Sequence, residues 1–357
     1  MMKGNQPCLL LLNDIHVSKD NILAFQSNWQ EALELCREKG IRDIVLGGDL
    51  FFSRAAQTLD VLLAVHDALL AAAESGIRLT LANGNHDKVN QEAIRGYCHV
   101  FDRFPNVRVV DEFMTLPVDE GQSFALHVIA YFPEEGSFCE KLERLKAGSL
   151  DDNRLNYLYI HEGINGALSR PNDKELPANI FGEFDRIFVA HYHNRTGIPR
   201  TNIEYIGSSR QHNFGEDEEK GYTIIYGDGH YEFVRNRVNI RYRVLDVEAS
   251  QVNTRLSDLL EEIRDEGRYR TKVRIHGTAA QTANVDKRKL AESGASKVEI
   301  VTDRVEQSEQ VPPASLFEKF DSLKIRENYR GFCREKKIDN VELGLQYLAN
   351  IEMPCGD

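Results

Sequence analysis

Asp14 and His16 follow the apolar run CLLLL, and Asp49 follows DIVLG. Asn85 and His86 follow IRLTLA, His161 closes LNYLYIH, and His191 and His193 close RIFVAHYH. A single DxH or HxH pair arises easily by chance. Five apolar runs, each ending in oxygen or nitrogen ligands, form a pattern. In α/β sheets the loops at the carboxyl ends of strands converge on one crevice, so such residues meet there. Asp14, His16, Asp49, Asn85, His161, His191 and His193 offer carboxylate, amide and imidazole groups. That set suits two borderline divalent ions such as Mn, Fe or Zn, and no thiolate is placed to compete. A carboxylate can bridge two ions, and Asp49, behind two glycines, is the expected bridge. Two such ions activate a water and stabilise the oxygens of an in-line phosphoryl displacement. Gly47, Gly48 and Gly84 leave room for close backbone approach.

The elements that would position these residues can be read from the same runs. CLLLL (8–12), DIVLG (43–47) and IRLTLA (77–82) are expected strands. Between them lie two segments with i, i+3/i+4 apolar spacing, ending at Gly40 and Gly76. Strand–helix–strand–helix–strand implies a mostly parallel, helix-covered sheet. From about residue 107 the runs VRVV, FALHVIAYF, LNYLYI, RIFVA, IEYIG, YTIIYG and YEFVRNRV suggest a second, mixed sheet with few helices, packed on the first. Residues 1–238 would form this main domain. Residues 239–305 read as a compact β-α-β-α-β cap. Residues 306–357 read as a polar, Pro-rich linker and a helical tail striped with Phe317, Phe320, Leu323, Tyr329 and Phe332. The tail would pack on the core or dock another protein.

The chain has 357 residues and a formal charge of −12, which argues mildly against a general nucleic-acid coat protein. An enzyme that meets nucleic acid through metal ions and a local basic patch remains compatible with it. Six scattered cysteines without CxxC pairing suit reduced cytosolic thiols. The N-terminal apolar run is too short for a signal peptide and reads as a first strand. No apolar run is long enough to span a bilayer; with the unpaired thiols, a cytoplasmic protein is expected. Arg235 and Arg237, like Arg241 and Arg243, share a strand face and could neutralise phosphates. His66, His99, His127 and His230 read as ordinary surface or core histidines, whereas His212 lies in a loop of interest.

Read together, DIH, GGDLF, GNHD, YIHEG and AHYH resemble the calcineurin-like metallophosphoesterases across residues 8–193. That resemblance implies a four-layer α/β/β/α sandwich with a small α/β cap and a helical C-terminal tail. Asp14, His16, Asp49 and His193 would hold one metal, and Asp49, Asn85, His161 and His191 the other. Manganese is the first expectation, with Fe, Zn or Mg next. His86 would sit over the scissile phosphate and protonate the leaving oxygen, with Asp87 orienting its ring. The segment EYIGSSRQHNFGEDEEKGYTIIY is similar to the nuclease component of the SbcCD repair complex and its archaeal and eukaryotic counterparts. This narrower resemblance implies an exo- or endonuclease acting on DNA, an SMC-like ATPase partner and a homodimer. Arg54, Arg210, Arg235 and Arg237 would be its substrate contacts. Ala190 stands where the family has Gly before HxH, and Phe52 and SRAAQ follow GDLF where relatives often have His or Asp and then Pro. A small-molecule phosphoesterase with the same site is the alternative. A non-enzymatic scaffold would be expected to lack a ligand or His86, and all are present.

Overall fold

The computed structural model describes residues 6–302, less positions 118, 120, 169–171, 253–255, 264–266, 284 and 293, together with Tyr329, Arg330, Cys333, Arg334, Val341 and Leu345. CLLLL lies in strand β1 (Pro7–Leu12), whose alternation sorts its side chains between two cores. Leu10 and Leu12 join the helix side, while Leu9 and Leu11 join the opposite side. Helix α1 (Ile22–Lys39) stops at Gly40, whose left-handed φ of 74° lets its N–H reach Cys36 O. Strand β2 (Asp43–Leu46), helix α2 (Leu59–Glu74) and strand β3 (Arg78–Leu81) follow. The Trp29 indole donates to Ala68 O at 2.7 Å and fastens α1 to α2.

The next strands are β4 (Val107–Val109), β5 (Phe113–Thr115) and β6 (Phe124–Ile129). Helix α3 (Phe138–Ser149) precedes β7 (Leu155–Ile160) and β8 (Arg186–Val189). Strands β9 (Thr196–Gly197), β10 (Ile203–Tyr205), β11 (Gly221–Tyr226) and β12 (Tyr231–Arg235) complete two six-stranded sheets. The first sheet runs β12-β11-β1-β2-β3-β4 and the second β5-β6-β7-β8-β10-β9. Phe138, Leu142 and Leu145 of α3 belong to the core of the second sheet, so the layers are α/β/β/α as expected.

Strand membership differs from the sequence reading in three places. Strands β4, β11 and β12 lie in the first sheet, not the second, because β4 extends the parallel run beside β3 and β11 returns antiparallel to β1. Helix α3 was hidden in a region that reads as strands. Strands β1, β2 and β3 are parallel as expected, and within the mixed second sheet β6, β7 and β8 are also parallel.

Beyond β12 comes a three-stranded parallel sheet of β13 (Arg241–Glu248), β14 (Tyr269–Gly277) and β15 (Lys297–Thr302). The short helices α4 (Ala249–Val252), α5 (Leu256–Ile263), α6 (Ala279–Thr282) and α7 (Lys287–Glu292) connect it. Val247, Leu259, Ile263, Val273, Ile275 and Leu290 form its own small core. The expected linker and aromatic tail at 306–357 lie outside the described residues, apart from the six helical positions named above. Among the described residues no helix is long and apolar enough to cross a membrane.

Candidate metal centre

Four of the seven expected ligands take an uncommon backbone conformation where they leave their strands. Asp14 (φ 50°), His16 (φ 50°), Asp49 (φ 53°) and His191 (φ 84°) are four of the five non-glycine residues with positive φ among those described. Non-glycine residues rarely adopt this region and do so where surrounding contacts hold them. Those contacts are visible here. Asp14 N–H donates to Gly48 O at 3.0 Å and His16 N–H to Asp49 O at 2.9 Å, tying the β1 and β2 loops together. His191 N–H donates to Asp14 Oδ2 at 3.0 Å, and the Asn13 amide donates to the same oxygen, tying in the second sheet. Gly48 (φ 106°) is needed twice over, because a Cβ there would lie 2.5 Å from His161 Nδ1 and 2.8 Å from Gly84 Cα.

The side chains converge. Asp14, Asp49 and His161 are fully or nearly fully buried, and His16 is 4% exposed. Asp14 Oδ1 stands 3.9 Å from each Nε2 of His16, His161 and His193, and it has no hydrogen-bond partner. Asp49 Oδ2 lies 3.3 Å from His161 Nε2 and 3.6 Å from His16 Nε2, between the two halves of the cluster. Three overlapping groups of possible metal-holding atoms arise: Asp14, His16 and His193; Asp14, Asp49 and His161; and His16, Asp49 and His86. His191 places its ring 5.3 Å from that of His161.

Hydrogen positions follow from the partners. His161 Nδ1 faces Gly47 O at 3.0 Å, so it carries a hydrogen. Its Nε2 then points at Asn85 Oδ1 (3.1 Å) and Asp49 Oδ2, both acceptors. Acceptors that face one another across a buried gap need a proton, a cation or an N–H donor between them. With the Asn85 oxygen inward, a proton on His161 fills that role in the metal-free chain. Burial lowers the His161 pKa, but Asp49 and Asp14 outweigh it and raise it to about 9. Burial alone would raise the Asp49 pKa, yet His161 and His16 hold it well below the usual carboxylate range. His193 repeats the arrangement: Nδ1 meets Glu216 Oε1 at 2.8 Å while Nε2 faces His16 Nε2 at 3.1 Å. Burial pushes His16 and His191 down to about 4, which keeps their rings neutral, as metal ligands require. The donor set therefore fits two borderline divalent ions. A metal held by Asp49, His161 and Asn85 would need the Asn85 amide with its oxygen inward. The reverse orientation, which suits the metal-free chain, would donate from the amide to His161 Nε2 and Asp49 Oδ2, both at 3.1 Å, and turn the oxygen to the Arg54 guanidinium.

His86 stands at the open side, with its ring 4.8 Å from that of His16. Its backbone N–H donates to Asp49 Oδ1 at 2.7 Å and its Nδ1 meets Phe52 O at 2.6 Å. Phe52 O is thus the group that orients the ring, and this corrects the expected role of Asp87. The Asp87 carboxylate accepts from the N–H groups of Gly84 (2.8 Å), Phe51 (2.9 Å) and Leu50 (3.3 Å). It closes the short 3₁₀ turn Asn85–Asp87 and staples it to the β2 loop.

The arginines divide. Arg54 is exposed and reaches the Asn85 amide at the cluster. Arg210 is buried and donates to Ile15 O (2.9 Å) and His16 O (3.3 Å), so it braces the first ligand loop and has no surface to offer a substrate. Arg235 pairs with Glu218 and Glu219, and Arg237 N–H donates to Glu31, beside an acidic stretch of α1. Glu216, Lys220 and His212 were not assigned roles from the sequence. Glu216 holds His193, buried Lys220 donates to His193 O at 2.7 Å, and His212 Nε2 donates to Asp14 O at 2.7 Å. The FGE and KGY fragments were the only signal for the first two. Away from the site, His127 is a satisfied core residue between Thr115 and Asn156, and His66 is a surface residue beside Asp67.

No family model matches the sequence. The SbcD component of the SbcCD nuclease from Staphylococcus saprophyticus is 26% identical over 205 residues, 51% of this chain and 54% of that protein. Its counterpart from Staphylococcus epidermidis is 28% identical over 209 residues, with the same shares. The chain spans about half the length of the curated relatives it matches. Among solved structures, a dimetal phosphatase from Danio rerio covers 62% of this chain and 93% of its own, at 9% identity and a TM-score of 0.39. Pseudomonas putida nuclease MPE covers 62% and 84%, at 14% identity and a TM-score of 0.28. In sequence the chain is similar to these SbcD nuclease subunits over about half of their length, and its motif order resembles that of the calcineurin-like metallophosphoesterases.

Proposed function

We propose that the chain is a two-metal phosphodiesterase that hydrolyses DNA, as the nuclease partner of an SMC-like ATPase in an SbcCD-like complex, and that it works as a homodimer with manganese. One observation carries the reading. The buried Asp14 Oδ1 has no hydrogen-bond partner and stands 3.9 Å from Nε2 of His16, His161 and His193, while Asp49 Oδ2 lies 3.3 Å from His161 Nε2. Asp14, His16, Asp49 and His193 would hold one ion, and Asp49, Asn85, His161 and His191 the other. Bound there, two divalent ions supply Lewis acidity and a nucleophilic water at neutral pH.

The chain's own residues supply the rest. With Nδ1 engaged by Phe52 O, His86 has Nε2 left to meet the substrate. In its protonated form that atom carries the proton for the leaving oxygen, and the ring stabilises charge on the phosphate. Arg54 is exposed at the rim and suits a non-bridging phosphate oxygen. Glu216 and Gly47 O fix the tautomers of His193 and His161.

The test offers the purified chain, with Mn, linear duplex DNA, single-stranded DNA and bis(p-nitrophenyl) phosphate, with His86→Ala as control. Cleavage of DNA that disappears in His86→Ala supports the proposal. DNA left intact while the small diester turns over in a His86-dependent way would replace it with a small-molecule phosphoesterase.

A further inference from the structure

The loop that holds His193 also carries an aromatic side chain that the metal centre does not use. Phe214 lies two residues after His212 and two before Glu216, the groups that brace Asp14 and His193. Its ring meets that of Tyr242, on β13, edge to face at 5.1 Å. Both rings keep part of their surface in solvent. Arg270 lies 5.5 Å over the Tyr242 ring, and Lys272 lies 5.4 Å over Phe214.

Strand alternation explains the composition. Tyr242 and Arg270 are cross-strand partners on the open face of the cap sheet, with Lys272 two residues further along. Val273 and Ile275 point to the covered face. Lys272 pairs with Glu299, whereas Arg268 and Arg270 are exposed at the same end of the sheet. Hydrogen bonds tie the ring pair to the site. Gln211 clamps Tyr242 through both backbone groups, at 2.8 and 2.9 Å, and donates to Glu216 O at 2.8 Å.

The geometry points to a nucleobase-stacking platform: Phe214 and Tyr242, flanked by Arg270 and Lys272, take an unpaired base of a strand whose phosphodiester lies at the metal centre. This rests on the DNA reading above. Aromatic rings accept any base face, and adjacent cations take the flanking phosphates, which is the chemistry of single-strand recognition. The acidic run 216–219 follows Phe214, with Glu216 on His193 and Glu218 and Glu219 on Arg235, so the exposed cations beside the rings are Arg268 and Arg270.

The test measures binding of a short fluorescent oligo-dA and of an abasic oligonucleotide of equal length, with Mn, to the full chain carrying His86→Ala to prevent cleavage. The intact strand should bind about five- to a hundredfold tighter, the range of base–aromatic stacking. Phe214→Leu, which keeps the apolar packing and removes the π face, should erase that preference, and Phe214→Trp should keep it. Equal affinities for the two strands, or a preference untouched by Phe214→Leu, would overturn the platform. Cleavage of the same oligo-dA by the unsubstituted chain reports separately on the DNA reading. Cleavage without the preference removes the platform alone, and neither cleavage nor binding removes both.

Discussion

With the Asn85 oxygen inward, a proton on His161 of the metal-free chain faces Asp49, and a metal must displace it. The His161 pKa is raised from an ordinary 6.5 to about 9. A raised base stabilises the fold fully below its unfolded pKa, and that contribution fades as pH climbs through the folded value. The metal-free chain should therefore lose stability between pH 6.5 and 9. Mn affinity should rise over the same window, by up to about tenfold per pH unit, and then level off. Calorimetric titration across that range checks this, and an affinity flat with pH contradicts it. Asp87 offers a second test. It satisfies three buried backbone N–H groups, so Asp87→Ala should cost roughly 2–5 kcal/mol of stability in a urea melt. A residue that only oriented His86 would slow cleavage and leave the melt unchanged. At this scale the ligands were legible because polar groups at strand ends are conspicuous. The roles of Asp87, Arg210 and Glu216 were not, because each depends on which backbone or ring atom lies nearby. Glu216 is 23 residues from the histidine it holds.

Strands β1 to β3 were legible because each is a buried run of four to six residues, and the glycine stops of α1 and α2 fell where the sequence put them. The sheet membership of β11 was not legible. Its partner β1 lies more than two hundred residues away, and nothing local in YTIIYG chooses between the sheets. Helix α3 was missed because Phe138, Leu142 and Leu145 are few and are spaced by charged residues. Two substitutions test the elements. Leu10 is fully buried between β1 and the helices, so Leu10→Ala should cost about 2–5 kcal/mol by denaturant unfolding. A Cβ on Gly84 would collide with the backbone nitrogen and carboxylate of Asp49. Gly84→Ala should therefore weaken Mn binding in a calorimetric titration more than it lowers the melting midpoint. The opposite ranking would mean that the β2 and β3 loops can part without disturbing the ligands.

At the scale of the molecule, two sheets bring their carboxyl edges together, so neither sheet alone holds a complete site. Asp14, His16, Asp49 and Asn85 come from the first, and His161, His191 and His193 from the second. Asp49 lies between the two halves, and the proposed dinuclear centre rests on it. The most direct test is Mn stoichiometry by calorimetry and elemental analysis. The unsubstituted chain and His86→Ala should each bind two Mn ions per chain, with His86→Ala losing cleavage by about a hundredfold or more. Asp49→Ala should bind neither ion tightly. One ion in the unsubstituted chain, or two retained by Asp49→Ala, would contradict a centre bridged by Asp49.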